Sequence, residues 1–214
     1  MEQEAARREV AYVARRLYAM RLTTTSGGNV SCRLDDGGFA ITPSGTDKAR
    51  IRAADVVLLA LDGSSRTAGA RPSSEFLMHL RIYARCRAVN AVVHAHPPCA
   101  SAFACADTPI RRDLLAETYA LLDEPVTAPY ALTTTGELAD AVAACAARSS
   151  CILMRSHGAT TTGATLLQAF DRMELLEAAA SITLIAARLE GARALTPDQR
   201  GQIDVLVGRP PAGC

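Results

Sequence analysis

The segment that decides the fold is Pro72–Pro98, which reads PSSEFLMHLRIYARCRAVNAVVHAHPP. After its opening serines the apolar residues recur at helical spacing, which predicts an amphipathic helix. The valines that precede His94-Ala-His96 then predict a buried strand. Alternate residues of a strand project from the same face. His94 and His96 can therefore bind one metal ion together.

Two imidazoles are too few for tight zinc binding, which usually takes three or four protein ligands. A third histidine is available in the segment Cys151–Gly158, CILMRSHG, which we expect to be an apolar strand that ends on His157 at a glycine turn. Glu75 supplies a carboxylate, although a glutamate in a first helical turn also stabilises the helix by itself. The sequence thus predicts a site of three neutral nitrogens and one carboxylate.

The composition limits the class of protein. The chain has 214 residues, 49% of them hydrophobic, so we expect a single domain over 1–214, with a mobile Pro/Gly-rich tail at 208–214. Its 23 basic and 22 acidic residues give a net charge of +1, with no electrostatic footprint for nucleic acid or an anionic membrane. We expect neither a signal peptide nor a membrane-spanning stretch. Seven cysteines without C-x-x-C spacing favour reduced thiols, and we expect a cytoplasmic protein.

Three short segments rich in glycine and hydroxyl groups are candidates for binding a phosphate. In the first, paired glycines let the backbone approach a ligand, but on spacing alone an ordinary turn that enters a strand is favoured. The second is a Pro-Ser-Gly-Thr turn. The third caps the predicted helix, whose first turn offers unpaired N–H groups and a partial positive charge. The residues concerned are Gly28, Asn29, Ser44, Gly45, Ser73 and Ser74.

Other patterns along the chain predict further helices. His79 lies one turn beyond Glu75 on the same helix face, and we interpret it as a packing residue or a second-layer hydrogen-bonding group rather than a metal ligand. Thr134 and Glu137 predict a capping box at the start of another helix. The longest helical pattern spans Thr165–Glu190.

Six blocks, in this order, resemble the class II aldolase/adducin family and, within it, the zinc-dependent fuculose-phosphate aldolase-like members. They are GGNVS (27–31), ITPSG (41–45), PSSE (72–75), AVVHAHPP (91–98), APY (128–130) and SHG (156–158). The resemblance covers nearly the whole chain. It implies an α/β fold, a three-layer α/β/α sandwich around a mainly antiparallel central sheet. It also implies a homotetramer with active sites near the subunit interfaces.

The resemblance implies a zinc-dependent aldolase that reversibly cleaves a ketose 1-phosphate, such as fuculose 1-phosphate or a 5-deoxypentulose 1-phosphate. The products would be dihydroxyacetone phosphate and a short aldehyde, formed through a zinc-stabilised enediolate. The metal would be held by His94, His96, His157 and Glu75, with Glu75 also the acid/base. The candidate phosphate-binding residues above match those of the family. A site of this kind also accepts Mn²⁺, Co²⁺ or Fe²⁺.

The chain departs from the family pattern at one residue. Relatives carry a tyrosine, supplied by a neighbouring subunit, that protonates the leaving fragment. The matching stretch here, Arg111–Leu115, contains no tyrosine, and Tyr119 is the nearest substitute. The identity of the proton donor and of the aldehyde therefore stays open.

Two alternatives share the same scaffold. One is a methylthioribulose-phosphate dehydratase-like lyase, and the other is a decarboxylase of a sugar-acid phosphate, because both use a histidine-bound metal and a glutamate near a phosphate. A third, of a different class, is a non-catalytic adducin-like interaction domain. Such a domain has no need of metal ligands, whereas this chain has three histidines and Glu75 in the matching positions.

Overall fold

The structure is a computed structural model that describes residues 1–209, and within this range seven strands form one sheet. The strands are β1 (Asn29–Arg33), β2 (Phe39–Ile41), β3 (Val57–Leu59), β4 (Ala91–Ala95), β5 (Val126–Ala128), β6 (Cys151–Met154) and β7 (Gly158–Gly163). The helices are α1 (Gln3–Ala19), α2 (Phe76–Arg85), α3 (Pro98–Ala104), α4 (Ala116–Leu121), α5 (Gly136–Ala146), α6 (Leu166–Ala186) and α7 (Pro197–Leu206). No helix of the described range has the length and hydropathy needed to cross a membrane.

The strand order is β3-β2-β1-β4-β7-β6-β5. Every neighbouring pair is antiparallel except β5 and β6, which run parallel. Parallel neighbours need a crossover, and here the connection from β5 to β6 contains α5. The predicted mainly antiparallel central sheet is confirmed.

Helices cover both faces of this sheet, because successive side chains of each strand project to opposite faces. Val93 lies in a core with α1, α3 and α6, and α1 contributes Val10 and Leu17 at helical spacing. Val92 lies in a second core with α2 and α5. The three-layer α/β/α arrangement is therefore confirmed.

The central strands bring distant parts of the chain to one edge of the sheet. Asn29, at the start of β1, is paired with His94 on β4, and His94 is paired with Thr160 on β7. Asn29 and His94 belong to the sheet face that α2 covers, since Glu75 at the N-cap of α2 contacts both of them. The site described below lies at this edge, under the start of α2.

Several local predictions need correction. The strand that begins at Cys151 ends at Met154, and the Thr-rich β7, which the hydrophobic pattern did not predict, follows it. The cap of α5 is Thr135, whose Oγ1 accepts from Leu138 N at 3.3 Å, so the capping box predicted at Thr134 is wrong. Of the tail predicted to be mobile, residues 210–214 lie outside the described residues.

Candidate metal centre

Three histidines converge at the edge of the sheet. His94 is on β4 and His96 follows that strand directly, whereas His157 lies in the turn between β6 and β7. This turn reverses at Ser156, which has a φ of 54°, so His157 faces back toward β4 rather than ending a strand as predicted. One ligand atom from each of the three histidines lies within 4.8 Å of the other two. The predicted metal-ligand histidines are thus brought together.

The orientation of His94 is fixed by its other ring nitrogen. Its Nδ1 donates to the backbone oxygen of Ala159 at 2.9 Å. A neutral imidazole that donates from Nδ1 has a free lone pair on Nε2, which is the arrangement found for metal-binding histidines. Burial lowers the pKa of His94 well below its ordinary value, and neighbouring His96 and His157 lower it further. His94 is therefore held neutral, as a metal ligand must be.

Glu75 completes the cluster from the other side. It occupies the N-cap position of α2, one residue earlier than the first-turn position that the sequence predicted. Its Oε2 lies 3.3 Å from His94 Nε2 and its Oε1 lies 3.4 Å from His157 Nε2. Asn29 Nδ2 donates to Oε2 at 2.9 Å. Both carboxylate oxygens thus face the histidine cluster.

The donor atoms of this cluster fit a metal ion. Within residues 1–209, His94 Nε2, His96 Nε2 and Glu75 Oε1 are buried and have no hydrogen-bond partner. Unpartnered buried polar atoms are unfavourable, so several around one point indicate a missing partner. Neutral imidazoles with a carboxylate are the ligands of catalytic zinc sites. A divalent cation bound here would satisfy all these atoms at once.

Two glycines allow the surrounding loops to approach β4 closely. A Cβ at Gly28, which has a φ of 65°, would lie 2.6 Å from the carbonyl oxygen of His94. A Cβ at Gly158 would lie 2.6 Å from the carbonyl oxygen of Ala95. Because real Cβ atoms do not come that close to backbone, only glycine fits at either position. Gly28 therefore packs against the strand that carries the histidines, whatever its role toward a phosphate.

The three candidate phosphate-binding segments lie side by side. Ser44 N donates to Arg71 O at 3.0 Å, and Ser73 N donates to Thr42 O at 3.0 Å, which joins the second segment to the third. Ser44 and Ser74 are exposed, whereas Ser73 is buried and its Oγ accepts from Glu75 N at 3.3 Å. The predicted N-cap at Ser73 or Ser74 is therefore wrong: α2 begins at Phe76 with Glu75 as its N-cap, and the Ser73 hydroxyl only accepts from the backbone of that N-cap residue.

Lys48 is a further residue at this place that the sequence patterns did not indicate. Its backbone N donates to Thr25 O at 2.9 Å, and its Nζ lies 3.5 Å from both Ser26 O and Thr46 O. It therefore joins the first segment to the second. Burial lowers its pKa, since the residue is 2% exposed, and the negative charge of Asp47 opposes this shift only in part. A lysine four residues after Ser44, in a hydroxyl-rich turn, was the available signal.

Tyr119 has a different position from the histidine cluster. It lies on α4, and its hydroxyl donates to Asp204 Oδ2 on α7 at 2.9 Å. The guanidinium groups of Arg112 and Arg209 lie over its ring at 4.6 and 5.2 Å. Within the described protomer it is engaged in packing α7 against α4. Its role as a proton donor stays a prediction.

Comparisons with known proteins find similar sequences across most of the chain. The family model described as "Class II Aldolase and Adducin N-terminal domain" matches residues 8–184. The L-fuculose phosphate aldolase of Methanococcus maripaludis is 31% identical over 179 residues, which is 81% of this chain and 93% of that protein. The methylthioribulose-1-phosphate dehydratase of Acidiphilium cryptum is 40% identical over 100 residues, which is 47% of each chain.

A solved structure shows the same fold. The L-fuculose-1-phosphate aldolase from Thermus thermophilus superimposes with a TM-score of 0.75 at 32% sequence identity. The match covers 88% of this chain and 97% of that protein. The likeness therefore extends across nearly the whole of the relative.

Proposed function

Because the chain belongs to the family of class II aldolases and adducin N-terminal domains, we propose that it is a metal-dependent aldolase. The reaction is the reversible cleavage of a ketose 1-phosphate, such as fuculose 1-phosphate or a 5-deoxypentulose 1-phosphate, to dihydroxyacetone phosphate and a short aldehyde. The observation that carries the proposal is the position of the Glu75 carboxylate against three converging histidines. A carboxylate beside a divalent cation suits proton transfer next to a polarised carbonyl group.

His94, His96, His157 and Glu75 would hold the metal, with Zn²⁺ the first candidate and Mn²⁺, Co²⁺ or Fe²⁺ as other divalent ions. When bound, such an ion acts as a Lewis acid that stabilises negative charge on the carbonyl oxygen of the substrate. Histidine ligands suit this role because they are neutral and do not cancel the charge of the ion. Burial lowers the pKa of both His94 and His96, which keeps them neutral.

Glu75 is the proposed acid/base. Its Oε2 accepts from Asn29, whereas Oε1 has no hydrogen-bond partner within residues 1–209, so Oε1 would be the oxygen available for a proton once substrate displaces Glu75 from the ion. In the condensation direction Glu75 takes a proton from the carbon beside the carbonyl group. In the cleavage direction it returns that proton, as microscopic reversibility requires.

The phosphate of the substrate would bind where the three glycine- and hydroxyl-rich segments meet. The start of α2 supplies a partial positive charge there, although the N–H groups of Glu75 and Phe76 already donate to Ser73. The side chain of Asn29 has one amide hydrogen left after its bond to Glu75. The proposed phosphate-binding residues are Gly28, Asn29, Ser44, Gly45, Ser73 and Ser74. Phosphate held at this place would fix the reacting carbon near Glu75.

A dehydratase of methylthioribulose 1-phosphate or a sugar-acid-phosphate decarboxylase is the second candidate. The dehydratase of Acidiphilium cryptum is similar over half the chain, whereas the aldolase relative is similar over most of it, which favours the aldolase over the dehydratase. The 3-oxo-tetronate 4-phosphate decarboxylase of Pectobacterium atrosepticum is 30% identical over 86% of this chain, so the extent of similarity does not separate the decarboxylase from the aldolase, and the assay below does. A non-catalytic adducin-like domain fits less well. Buried ligand atoms without partners destabilise a protein that binds no metal.

The test supplies zinc-loaded protein with dihydroxyacetone phosphate and a panel of aldehydes, and detects ketose phosphates by mass spectrometry. We expect condensation with acetaldehyde or L-lactaldehyde. The Glu75→Gln variant should bind phosphate but lose most turnover, because the amide cannot accept the proton. Absence of product with every aldehyde, together with loss of water from methylthioribulose 1-phosphate, would replace the aldolase with the dehydratase. Near-normal turnover of Glu75→Gln would remove its assigned role.

We further propose that the chain assembles as a homotetramer with active sites near subunit interfaces. Several large apolar side chains are more than half exposed, and α7 has no buried residue, so this surface suits contact with another copy. Within residues 1–209 these side chains are Tyr130, Leu132, Leu167, Ile185, Leu189, Val205 and Leu206. Light scattering would measure the mass of the assembly.

The six cysteines of the described range are free, which suits the cytoplasm, where we place the reaction.

A further inference from the structure

We propose that His79 is a positioning residue that holds the carboxylate of Glu75, through Asn29, in the orientation needed for proton transfer. Within residues 1–209 His79 makes no hydrogen bond to the three clustered histidines or to Glu75; its partners are Asn29 and Ser31. Its Nε2 bonds Asn29 Oδ1, and Asn29 Nδ2 bonds Glu75 Oε2 at 2.9 Å. The role assigned to Glu75 rests on the proposed function, whereas the hydrogen-bond chain itself does not.

The hydrogen-bond chain follows from the residue spacing in two elements, α2 and β1. On α2, the N-cap Glu75 is followed by His79 and Tyr83 at intervals of four residues, so the three lie on one face of the helix. On β1, Asn29 and Ser31 are two residues apart and project from the same face of the strand. The helix row and the strand row face each other, and the hydrogen bonds alternate between them.

The direction of each hydrogen bond follows from Glu75. An ionised carboxylate only accepts, so the amide NH₂ of Asn29 must face it and the amide oxygen must face His79. His79 Nε2 must then carry the proton, which leaves Nδ1 as an acceptor. Ser31 Oγ, at 2.6 Å, therefore donates to Nδ1 and in turn accepts from the Tyr83 hydroxyl at 2.7 Å. Every member has one consistent direction, and a single tautomer of His79 satisfies it.

Burial makes this arrangement rigid. His79 and Ser31 are fully buried, and Asn29 and Tyr83 are at most 2% exposed. Water is therefore not at hand to replace a missing partner, and buried networks of this kind either are fully satisfied or are strongly unfavourable. Tyr83 is fixed further by the carbonyl of its own residue, which accepts from Arg33, and by the Arg33 guanidinium 4.7 Å from its ring. The orientation of Glu75 is thus set by the core between α2 and β1.

If His79 only filled space in the core, different results would be expected from its substitution. An apolar residue of similar size would then serve equally well at position 79, and the effect of replacing it would not depend on Glu75. If His79 positions Glu75, His79→Leu should act on catalysis and metal binding through Glu75. His79→Gln, whose amide can both donate to Asn29 and accept from Ser31, should restore much of what His79→Leu loses.

The first experiment compares steady-state kinetics of aldol condensation. Removal of such supporting hydrogen bonds typically costs about 10- to 100-fold, and we expect that loss in the kcat of His79→Leu, with a smaller rise in KM for dihydroxyacetone phosphate because Asn29 is also a proposed phosphate-binding residue. His79→Gln should recover most of the kcat. Ile82→Ala, a fully buried change on the same helix outside the hydrogen-bond chain, is the control for lost stability. Equal kcat losses in His79→Leu and Ile82→Ala would overturn the proposal.

The second experiment needs no substrate, so it stands even if the proposed reaction fails. It measures Zn²⁺ affinity by competition with a chromogenic chelator, in a double-mutant cycle of His79→Leu and Glu75→Gln. We expect His79→Leu to weaken affinity about tenfold in the native background and to have little further effect in the Glu75→Gln background, because the positioned group is already lost. Equal weakening in both backgrounds would overturn the proposal.

If His79→Leu does not fold, Ser31→Ala tests the same hydrogen-bond chain. It removes the donor that fixes the tautomer of His79 and leaves the imidazole in place. We expect a smaller loss of kcat in the same direction, with KM retained. A Ser31→Ala variant with the kcat of the unmodified protein would count against the proposal.

Discussion

Gly28→Ala should disturb both stability and metal binding, because Gly28 combines two constraints. Its φ of 65° lies in the left-handed region, which costs an alanine about 1–2 kcal/mol. The added Cβ would also lie 2.6 Å from the carbonyl oxygen of His94 and 2.9 Å from Thr23 Oγ1. Forcing extra atoms into a packed site costs about 1–3 kcal/mol. We expect the free energy of unfolding to fall by about 2–5 kcal/mol in total.

Two other glycines separate these contributions. Gly37, in the turn between β1 and β2, has a φ of 86° with no atom within 4 Å of an added Cβ, so Gly37→Ala should cost only the backbone term of about 1–2 kcal/mol. Gly158→Ala makes a 2.6 Å contact with Ala95 O but has no positive φ, so it should cost only the packing term of about 1–3 kcal/mol.

The assay is urea unfolding of the three variants without metal, followed by Zn²⁺ affinity. Gly28→Ala and Gly158→Ala push on the end of β4, which carries His94 and precedes His96, so both should weaken metal binding. Gly37→Ala lies far along the β1–β2 hairpin and should keep the native affinity. The reasoning is refuted if Gly28→Ala is no less stable than Gly37→Ala, or if both bind Zn²⁺ equally well.

Three further outcomes are expected. Removing the metal with a chelator should lower the melting temperature, and adding the metal back should restore the original value, since a ligand at 100 times its Kd stabilises by about 2.7 kcal/mol. Equal melting temperatures with and without metal would contradict a bound ion. Burial lowers the pKa of His79 from 6.5 to about 3. Between these two pH values His79 is protonated in the unfolded chain but neutral in the folded protein. The stability of the metal-free protein should therefore be full above pH 6.5 and fall on acidification by up to about 1.4 kcal/mol per pH unit for this group. His79→Gln should show a shallower loss between pH 7 and 5 in urea unfolding, and an identical slope would contradict it. Lys48→Met removes the ammonium between Ser26 and Thr46, so KM for dihydroxyacetone phosphate should rise more than kcat falls; an unchanged KM would show that Lys48 has no part in phosphate binding.

The sequence was sufficient for the architecture and for the convergence of the three histidines, because these depend on local patterns. The valines before His94 indicate a buried strand whatever surrounds them, and the spacing of His94 and His96 places both at one point. The position of His157 was right but its setting was wrong. A turn at Ser156 with positive φ has no apolar periodicity to reveal it, and β7 is rich in threonine rather than in the valine and leucine of a buried run.

The contacts between distant segments could not be predicted from the sequence. Asn29 could be assigned to a phosphate loop from its glycine neighbours, but its bonds to Glu75 and His79 depend on how α2 lies over β1. The hydroxyl of Tyr119 meets Asp204 on a helix that no pattern connects with it. Spacing within one element can be read along the chain, whereas pairing between two elements depends on packing.

The central place of β4 bears on the order of events in folding. The candidate metal ligands come from residues 75 to 157, and they meet only after β4 has paired with β1 on one side and with β7 on the other. Long-range pairing of this kind is slow to form. The ion would therefore find its site only after the rate-limiting step, so Zn²⁺ should slow unfolding strongly and leave the refolding rate almost unchanged. The metal would then stabilise the folded protein after it has formed, and would not guide its folding.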